Sequence, residues 1–257
     1  MRPVYNIAEN EMYMKIQATR LGVYKAICLA VKHHGHGLAA QIAITHSLQY
    51  FEHLAEPMAE CLDHLSKEFD HAQLADEILR EIAGKTFSAQ DSKGPRVFSK
   101  FLTRFSELAP RQVLKQLALL LAQLDSESYP MRNALVDMIG NIIRELAEAP
   151  EDGEAPNKGQ HLKQINGLYD LLLERTMDIS SYTRVKVFNT FARLCDATGT
   201  GKFPQQRLAM TRAAVDALED KTSSVRKSAI SLLERLILTH PYGMYGGLLS
   251  ETEWKEK

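Results

Sequence analysis

A pattern of Asp followed six residues later by Arg occurs twice in the second half of the chain. Asp178 and Arg184 share this spacing with Asp220 and Arg226, and a small or apolar residue follows each arginine by three positions. A fixed offset of this kind requires both copies to have the same local structure. The chain is therefore expected to consist of repeated units.

Two further copies of the pattern are weaker. Arg132 belongs to a third copy, in which Asp125 aligns when one residue is inserted, and a fourth copy that begins at Asp70 lacks the arginine. The interval from Arg132 to Arg184 is longer than the interval from Arg184 to Arg226, because it contains the polar segment 149–160. The underlying period is therefore about 40 residues, which is typical of helical repeats.

Apolar residues at helical spacing run through the whole chain, as in the i, i+3, i+4, i+7 series of Phe98, Phe101, Leu102 and Phe105. Alternating patterns typical of strands are nearly absent. The class is therefore predicted to be all-α. The spacing predicts helices over 11–33, 38–54, 57–68, 71–84, 95–108, 110–124, 130–148, 161–177, 181–196, 204–219 and 222–239.

The helices are expected to form pairs. Pro110 and Pro204 stand at predicted helix starts, and Pro110 precedes Arg132 by the same interval as Pro204 precedes Arg226. A helix pair of about 40 to 47 residues is typical of HEAT and armadillo units. We therefore predict an α-solenoid of HEAT-type helix pairs in a right-handed superhelical array, one continuous segment over 1–257 with exposed loops at about 85–94 and 149–160.

The Asp and Arg of the pattern are predicted to be structural. Asp lies in the turn between two helices, where its carboxylate can accept hydrogen bonds from free N–H groups and can meet an arginine of a neighbouring unit. The predicted structural positions are Asp178, Arg184, Asp220, Arg226 and Arg132.

Composition excludes several classes of function. Lys and Arg total 31 against 32 for Asp and Glu, so binding to nucleic acid would need a local patch. The three cysteines are widely spaced with no Cys-x-x-Cys pair, which argues against a disulfide framework or a cysteine zinc site. The longest wholly apolar runs have six residues, too few to cross a membrane.

One local basic patch is a candidate for contact with DNA phosphates. Arg96, Lys100 and Arg104 share one helix face, Arg111 and Lys115 follow on the next helix, and the stretch from 93 to 115 has a local charge of +5. Such a patch would bind phosphates through charge, without reading the base sequence. A solvated helix face is the alternative interpretation, and the one that we favour.

Histidines form a second cluster. Seven of the nine lie between His33 and His71, but no His-Glu-x-x-His pattern or supporting cysteine pair accompanies them. Polar helix ends explain them best, and His33, His34 and His36 are a candidate partner surface. The stretch 199–202 has a P-loop-like Gly-Thr-Gly-Lys, which we reject because Phe203 replaces the Ser or Thr.

Several blocks of the sequence resemble the D-type HEAT-repeat regulatory subunits of condensin. The blocks are Val31–His36, Gln49–Glu60, Gln73–Ile82, Leu124–Tyr129, Met131–Ala134 and Asp220–Ser228. The similarity covers most of 20–245 and is strongest in wording to fungal members. Because family members are much longer, it implies a piece of the N-terminal third. A departure falls in 180–186, where members often carry a Pro and a Cys that are absent here.

The resemblance implies a non-enzymatic scaffold in mitotic chromosome condensation. Its expected partners are the kleisin subunit and an SMC ATPase head, with double-stranded DNA as a further candidate, in the nucleus and on chromosomes with a cytoplasmic pool. No cofactor, metal, membrane or small-molecule substrate is expected. The alternatives are a HEAT adaptor of a transport or phosphatase complex, and a helical metalloenzyme that uses the histidines between His33 and His71.

Overall fold

The computed structural model describes residues 1–91, 93–148, 158–197 and 204–240, and within these ranges all regular secondary structure is helical. The α-helices are α1 (Arg2–Glu9), α2 (Glu11–Lys15), α3 (Gln17–His34), α4 (Gly37–Tyr50), α5 (Ala55–Phe69), α6 (Gln73–Ala83), α7 (Gly94–Leu108), α8 (Pro110–Leu120), α9 (Tyr129–Glu148), α10 (Lys158–Glu174), α11 (Ser181–Ala197), α12 (Pro204–Asp216) and α13 (Ser223–Leu238). Short 3-10 turns span Glu52–Leu54, Leu121–Asp125, Arg175–Met177 and Ala217–Glu219. The predicted all-α class is confirmed.

The predicted helices agree with the structure except at the N-terminus. The helix predicted over 11–33 is interrupted at Ile16, whose backbone is extended, with φ −81 and ψ 112. The short helix α1 was not predicted, because only Ala8 of its eight residues is buried and its apolar pattern is correspondingly weak. Further along the chain, α8, α10 and α12 each continue into a 3-10 turn, which the predicted ranges included.

Left-handed residues end two helices and make tight turns. Gly35 has φ 63 and donates its N–H to the carbonyl of Ala30, which ends α3. Asp70 has φ 48 and donates to the carbonyl of Leu65, which ends α5. Both follow the left-handed C-cap pattern, in which the residue after the helix turns the chain back. The turns pair α3 with α4 and α5 with α6.

The first compact unit, residues 1–138, has two layers of helices. In one layer α3, α5 and α7 contact one another in chain order, and in the other α4, α6 and α8 do so. The helices α1 and α2 pack on α3. The stripe of Phe98, Phe101 and Phe105 on α7 is fully buried, and each such side chain contributes about 1.5–3 kcal/mol when it leaves water.

The second compact unit, residues 139–257, repeats this alternation. Here α11 packs on α13 and α10 packs on α12, around a core that includes Tyr169, Phe188 and Phe191. Gly140 of α9 lies directly against the methyl group of Thr190 on α11. The predicted repetition of helix pairs is thus confirmed in the described parts of both units.

The two predicted loops differ in what the structure describes. Most residues of 85–93 are exposed, but Phe87 is buried against Phe98, with 5.5 Å between the ring centroids. Residues 149–157 of the other loop lie outside the described residues, and α10 already begins at Lys158. The single continuous segment over 1–257 stays a prediction.

Candidate functional site

Three inter-helix turns share one backbone geometry. Ser126, Asp178 and Asp220 each follow a 3-10 turn, with φ between −59 and −56 and ψ between 140 and 145. The side-chain oxygen of each accepts a hydrogen bond from the N–H two residues later, at 3.3, 2.8 and 2.8 Å. This local bond is typical of Asp and Ser in turns. We call these three the repeat turns; they precede α9, α11 and α13.

An arginine closes each repeat turn from the helix that follows it. Nη1 of Arg132, Arg184 and Arg226 donates to the carbonyl six residues earlier, at 2.6, 2.7 and 2.7 Å. The same atoms lie 3.2, 3.4 and 3.2 Å from the next carbonyl. Turn carbonyls have no helical partner, so these charged hydrogen bonds supply one. The shared offset in the sequence thus corresponds to a shared hydrogen bond.

Two details of the predicted repeat are wrong. Arg132 bonds to the carbonyl of Ser126, so Ser126 stands where the other copies have Asp, and no residue is inserted after Asp125. The weaker copy at Asp70 is not a repeat turn, because Asp70 is left-handed and joins α5 to α6. The repeat turns instead precede α9, α11 and α13.

One arginine also joins two neighbouring repeat turns. Arg184 donates from Nε to Oδ2 of Asp220 at 2.7 Å and from Nη2 to Oδ1 at 3.0 Å, a bidentate pair. Both side chains are largely buried, with 16% and 13% of their surface exposed. The hydrogen bonds from Arg184 hold the pKa of Asp220 below its usual value, and the N–H of Thr222 adds to the effect. The pair therefore connects successive repeats within the second unit.

The basic face of α7 carries acidic neighbours that the sequence does not place beside it. Lys100 forms an ion pair with Glu52 of a 3-10 turn, 48 residues earlier in the chain. Its hydrogen bond and its charge lower the pKa of Glu52, and the charge of Arg96 contributes further. Because Glu52 and Lys100 are both more than half exposed, solvent screens this pair. The pair nevertheless offsets part of the local positive charge.

Arg104 is held by two carboxylates. Nη2 lies 3.2 Å from Glu60 of α5, and Nη1 lies 3.2 Å from Glu107 one helical turn on. Glu60 also accepts a hydrogen bond from the hydroxyl of Tyr24 at 3.0 Å. Burial, and then the nearby Glu60, raise the pKa of Tyr24. Arg104 therefore contributes to packing between α5 and α7 as well as to the surface charge.

The remaining predicted phosphate contacts are exposed. Arg96 lies on α7, and Arg111 and Lys115 lie on α8. The structure thus divides the five predicted residues into two held by carboxylates of other helices or turns, Lys100 and Arg104, and three at the surface.

The three histidines predicted as a partner surface also divide. His33 and His34 are exposed in the last turn of α3. His36 instead faces α1: its Nε2 lies 3.1 Å from the hydroxyl of Tyr5, and the two rings stack with centroids 5.9 Å apart. Burial, and then the charge of the N-terminal amine, lower the pKa of His36. His53 joins α1 in a similar way, through a 3.0 Å bond to the carbonyl of Ala8.

The described residues contain no group of three or more His, Cys, Asp or Glu side chains placed to hold a metal ion. A pocket of about 590 Å³ in the first unit mixes charges of both signs, with Glu11, Glu56 and Glu60 beside Lys15 and Arg20. The histidine metalloenzyme alternative therefore gains no support from the described part of the chain. The P-loop-like stretch 199–202 lies outside it.

No helix in the described ranges is both long and apolar enough to cross a membrane. Helices in two layers, closed by arginine-bonded repeat turns, define a helical-repeat protein. The family model described as "non-SMC mitotic condensation complex subunit 1, N-term" matches residues 1–40.

Three curated relatives extend this match to nearly the whole chain. Condensin complex subunit 1 of Schizosaccharomyces pombe is 35% identical over 100% of this chain and 22% of its own length. The Saccharomyces cerevisiae protein of the same name is 34% identical over 99% and 21%. The Homo sapiens protein is 28% identical over 93% and 17%. The chain belongs to the condensin subunit 1 family, which confirms the predicted resemblance, and it spans about a fifth of these relatives' length.

Proposed function

We propose that this chain is a non-catalytic helical-repeat segment of a condensin complex, and that it binds the kleisin subunit and an SMC ATPase head. The observation that carries the proposal is the similarity to condensin complex subunit 1 of two yeasts over almost the whole chain. Helical-repeat proteins offer extended surfaces to long partners, and kleisin-type segments become ordered on binding. The transport or phosphatase adaptor alternative has no comparable support.

A pull-down with separated partners tests this proposal. The chain is immobilised and offered the central region of the kleisin or the isolated SMC ATPase heads, with an unrelated helical-repeat protein carrying the same tag as control. We expect capture of at least one partner by the chain and of neither by the control. Capture of neither, with the helical circular dichroism spectrum intact, would contradict the proposal.

DNA contact is a second proposed activity. Arg96, Arg111 and Lys115 are exposed on neighbouring helices, and phosphate binding requires exposed cations. Carboxylates already hold Lys100 and Arg104, which favours the solvated-face interpretation for that part of the patch. DNA contact is therefore proposed for the three exposed residues alone.

Location in the nucleus and on chromosomes, with a cytoplasmic pool, follows from the proposed membership in condensin. Fluorescence imaging of the tagged full-length protein through mitosis tests it. Enrichment on condensed chromosomes is the expected result, and exclusion from them at every stage would contradict it.

A further inference from the structure

The helix α4 has one apolar ridge that faces the interior. Ala40, Ile44 and Leu48 follow one another at intervals of four residues, and each is fully buried. This side of α4 packs on α6 and α7. A buried ridge is what an amphipathic helix in a two-layer protein requires.

A second ridge runs along the opposite side of the same helix. Leu38, Ile42, His46 and Tyr50 are also spaced by four residues, and we call them the outer ridge. A shift of two positions rotates a side chain by about 200°, which places the outer ridge away from the buried one. Leu38, Ile42 and Tyr50 are 70%, 60% and 68% exposed, and the rings of His46 and Tyr50 lie 4.8 Å apart.

The next helix of the same layer does not share this feature. The exposed positions of α6 include Gln73 and Arg80, and its large apolar side chains are buried. In its layer, α6 lies between α4 and α8, whereas α6 is the one neighbour that α4 shows in that layer among the described residues. The outer ridge therefore has the composition of a helix–helix contact but lies open to solvent.

Charge gives the outer ridge a direction. Lys32, His33 and His34 are exposed just before the turn that leads to Leu38. The N-terminus of α4 lies at this same end, with no acidic residue in its first turn and no side-chain cap. Both features attract negative charge, since a helix N-terminus carries a partial positive charge. A chain lying on the ridge is favoured when its acidic residues are at the Leu38 end.

We propose that the outer ridge of α4 docks an amphipathic helix of a partner subunit, with acidic residues at the end that meets Lys32, His33 and His34. Ridges at i, i+4 spacing pack into the grooves of a second helix at a crossing angle of about 50° and an axial distance of about 8–10 Å. The partner helix then presents aliphatic residues at i, i+3 or i+4, and i+7. This proposal rests on the proposed function for the choice of partner.

Peptide binding tests the proposal. Twenty-residue fluorescent peptides that tile the kleisin central region and the SMC head sequences are titrated with the chain and followed by anisotropy. The expected result is binding of an amphipathic peptide with an acidic end, weakened at least tenfold by Ile42→Glu. Leu38→Glu serves as a second ridge variant. Gln49→Glu adds the same charge at an exposed position beside the ridge and should change the affinity less than twofold, and Lys32→Glu should weaken binding as well.

Two results would overturn the proposal while leaving the proposed function intact. Capture of the whole kleisin region or the SMC heads, with no peptide bound or with affinity unchanged by Ile42→Glu, would place the partner elsewhere on the chain. A concentration-dependent dimer in sedimentation velocity, lost in Ile42→Glu, would assign the ridge to a second copy. Absence of both capture and peptide binding would contradict the proposed function together with the ridge.

Discussion

Arg184 and Asp220 are joined by two hydrogen bonds of 2.7 and 3.0 Å across 36 residues of sequence. The same guanidinium donates to the carbonyl of Asp178 in its own repeat turn. One side chain therefore closes one turn and ties it to the next. This arrangement makes the relative position of α11 and α13 depend on a single arginine.

Replacing Arg184 with Ala should destabilise the protein by about 2 kcal/mol, because a largely buried carboxylate and a turn carbonyl both lose a charged donor. Urea unfolding followed by circular dichroism measures the change. Arg212→Ala removes an exposed arginine from α12 and should cost less than about 0.5 kcal/mol. Equal effects of the two substitutions would show that the bridge contributes little.

The contribution of Asp220 should depend on pH in one direction. Its pKa is lower in the folded protein than its ordinary value of 3.8, so folding favours the charged form. The stabilisation is complete above that ordinary value and is lost as the pH falls through the folded value. Unfolding free energies of the wild type and Asp220→Asn should therefore converge below pH 4. A constant difference down to pH 2 would contradict this linkage.

Substitution of Gly140 by Ala should destabilise the second unit by about 1–3 kcal/mol, because the added Cβ would overlap the methyl group of Thr190. Thermal unfolding measures the effect. In the double variant, Thr190→Ser removes that methyl group and keeps the hydroxyl that accepts from Arg193, so part of the stability should return.

A matched glycine gives the control for Gly140. Gly167 lies inside α10 with no atom within 4 Å of an added Cβ. Gly167→Ala should stabilise the protein by about 0.5–1 kcal/mol, because Ala has the higher helix propensity. Destabilisation at both positions would show that close packing at Gly140 is not the cause.

Simultaneous change of Arg96, Arg111 and Lys115 to Glu should weaken binding to double-stranded DNA. The slope of log affinity against log salt should fall by about 1 for each phosphate that the variant no longer binds. Anisotropy titrations at several salt concentrations measure both quantities. The control carries the same charge change at exposed lysines of the second unit: Lys163, Lys221 and Lys227. Identical behaviour of both triple variants would support a solvated face.

The sequence predicted the helices and the positions of the repeat turns well, because both depend on neighbours a few residues apart. It misplaced the third copy by one residue. Ser126 forms the same turn as Asp178 through a side-chain oxygen, and a search for Asp could not detect it.

The outer ridge of α4 was visible as residues but not as a surface. Two apolar ridges at the same spacing, Leu38–Tyr50 and Ala40–Leu48, make the helix apolar on opposite sides, and periodicity does not say which side is covered. The basic patch was overestimated for a related reason. Glu52 precedes Lys100 by 48 positions and Glu60 precedes Arg104 by 44, so a charge count along the segment omits both carboxylates.

The sequence by itself determined the all-α class, the family and a repeat length of about 40 residues, as in other helical-repeat proteins. These properties follow from helical periodicity, turn chemistry and shared blocks of residues, all of which are local in the chain. Only the tertiary structure decided that Arg184 meets Asp220, that His36 faces Tyr5 and that the outer ridge stays exposed. Such contacts join residues that are far apart in the chain, so helix packing rather than local pattern selects them.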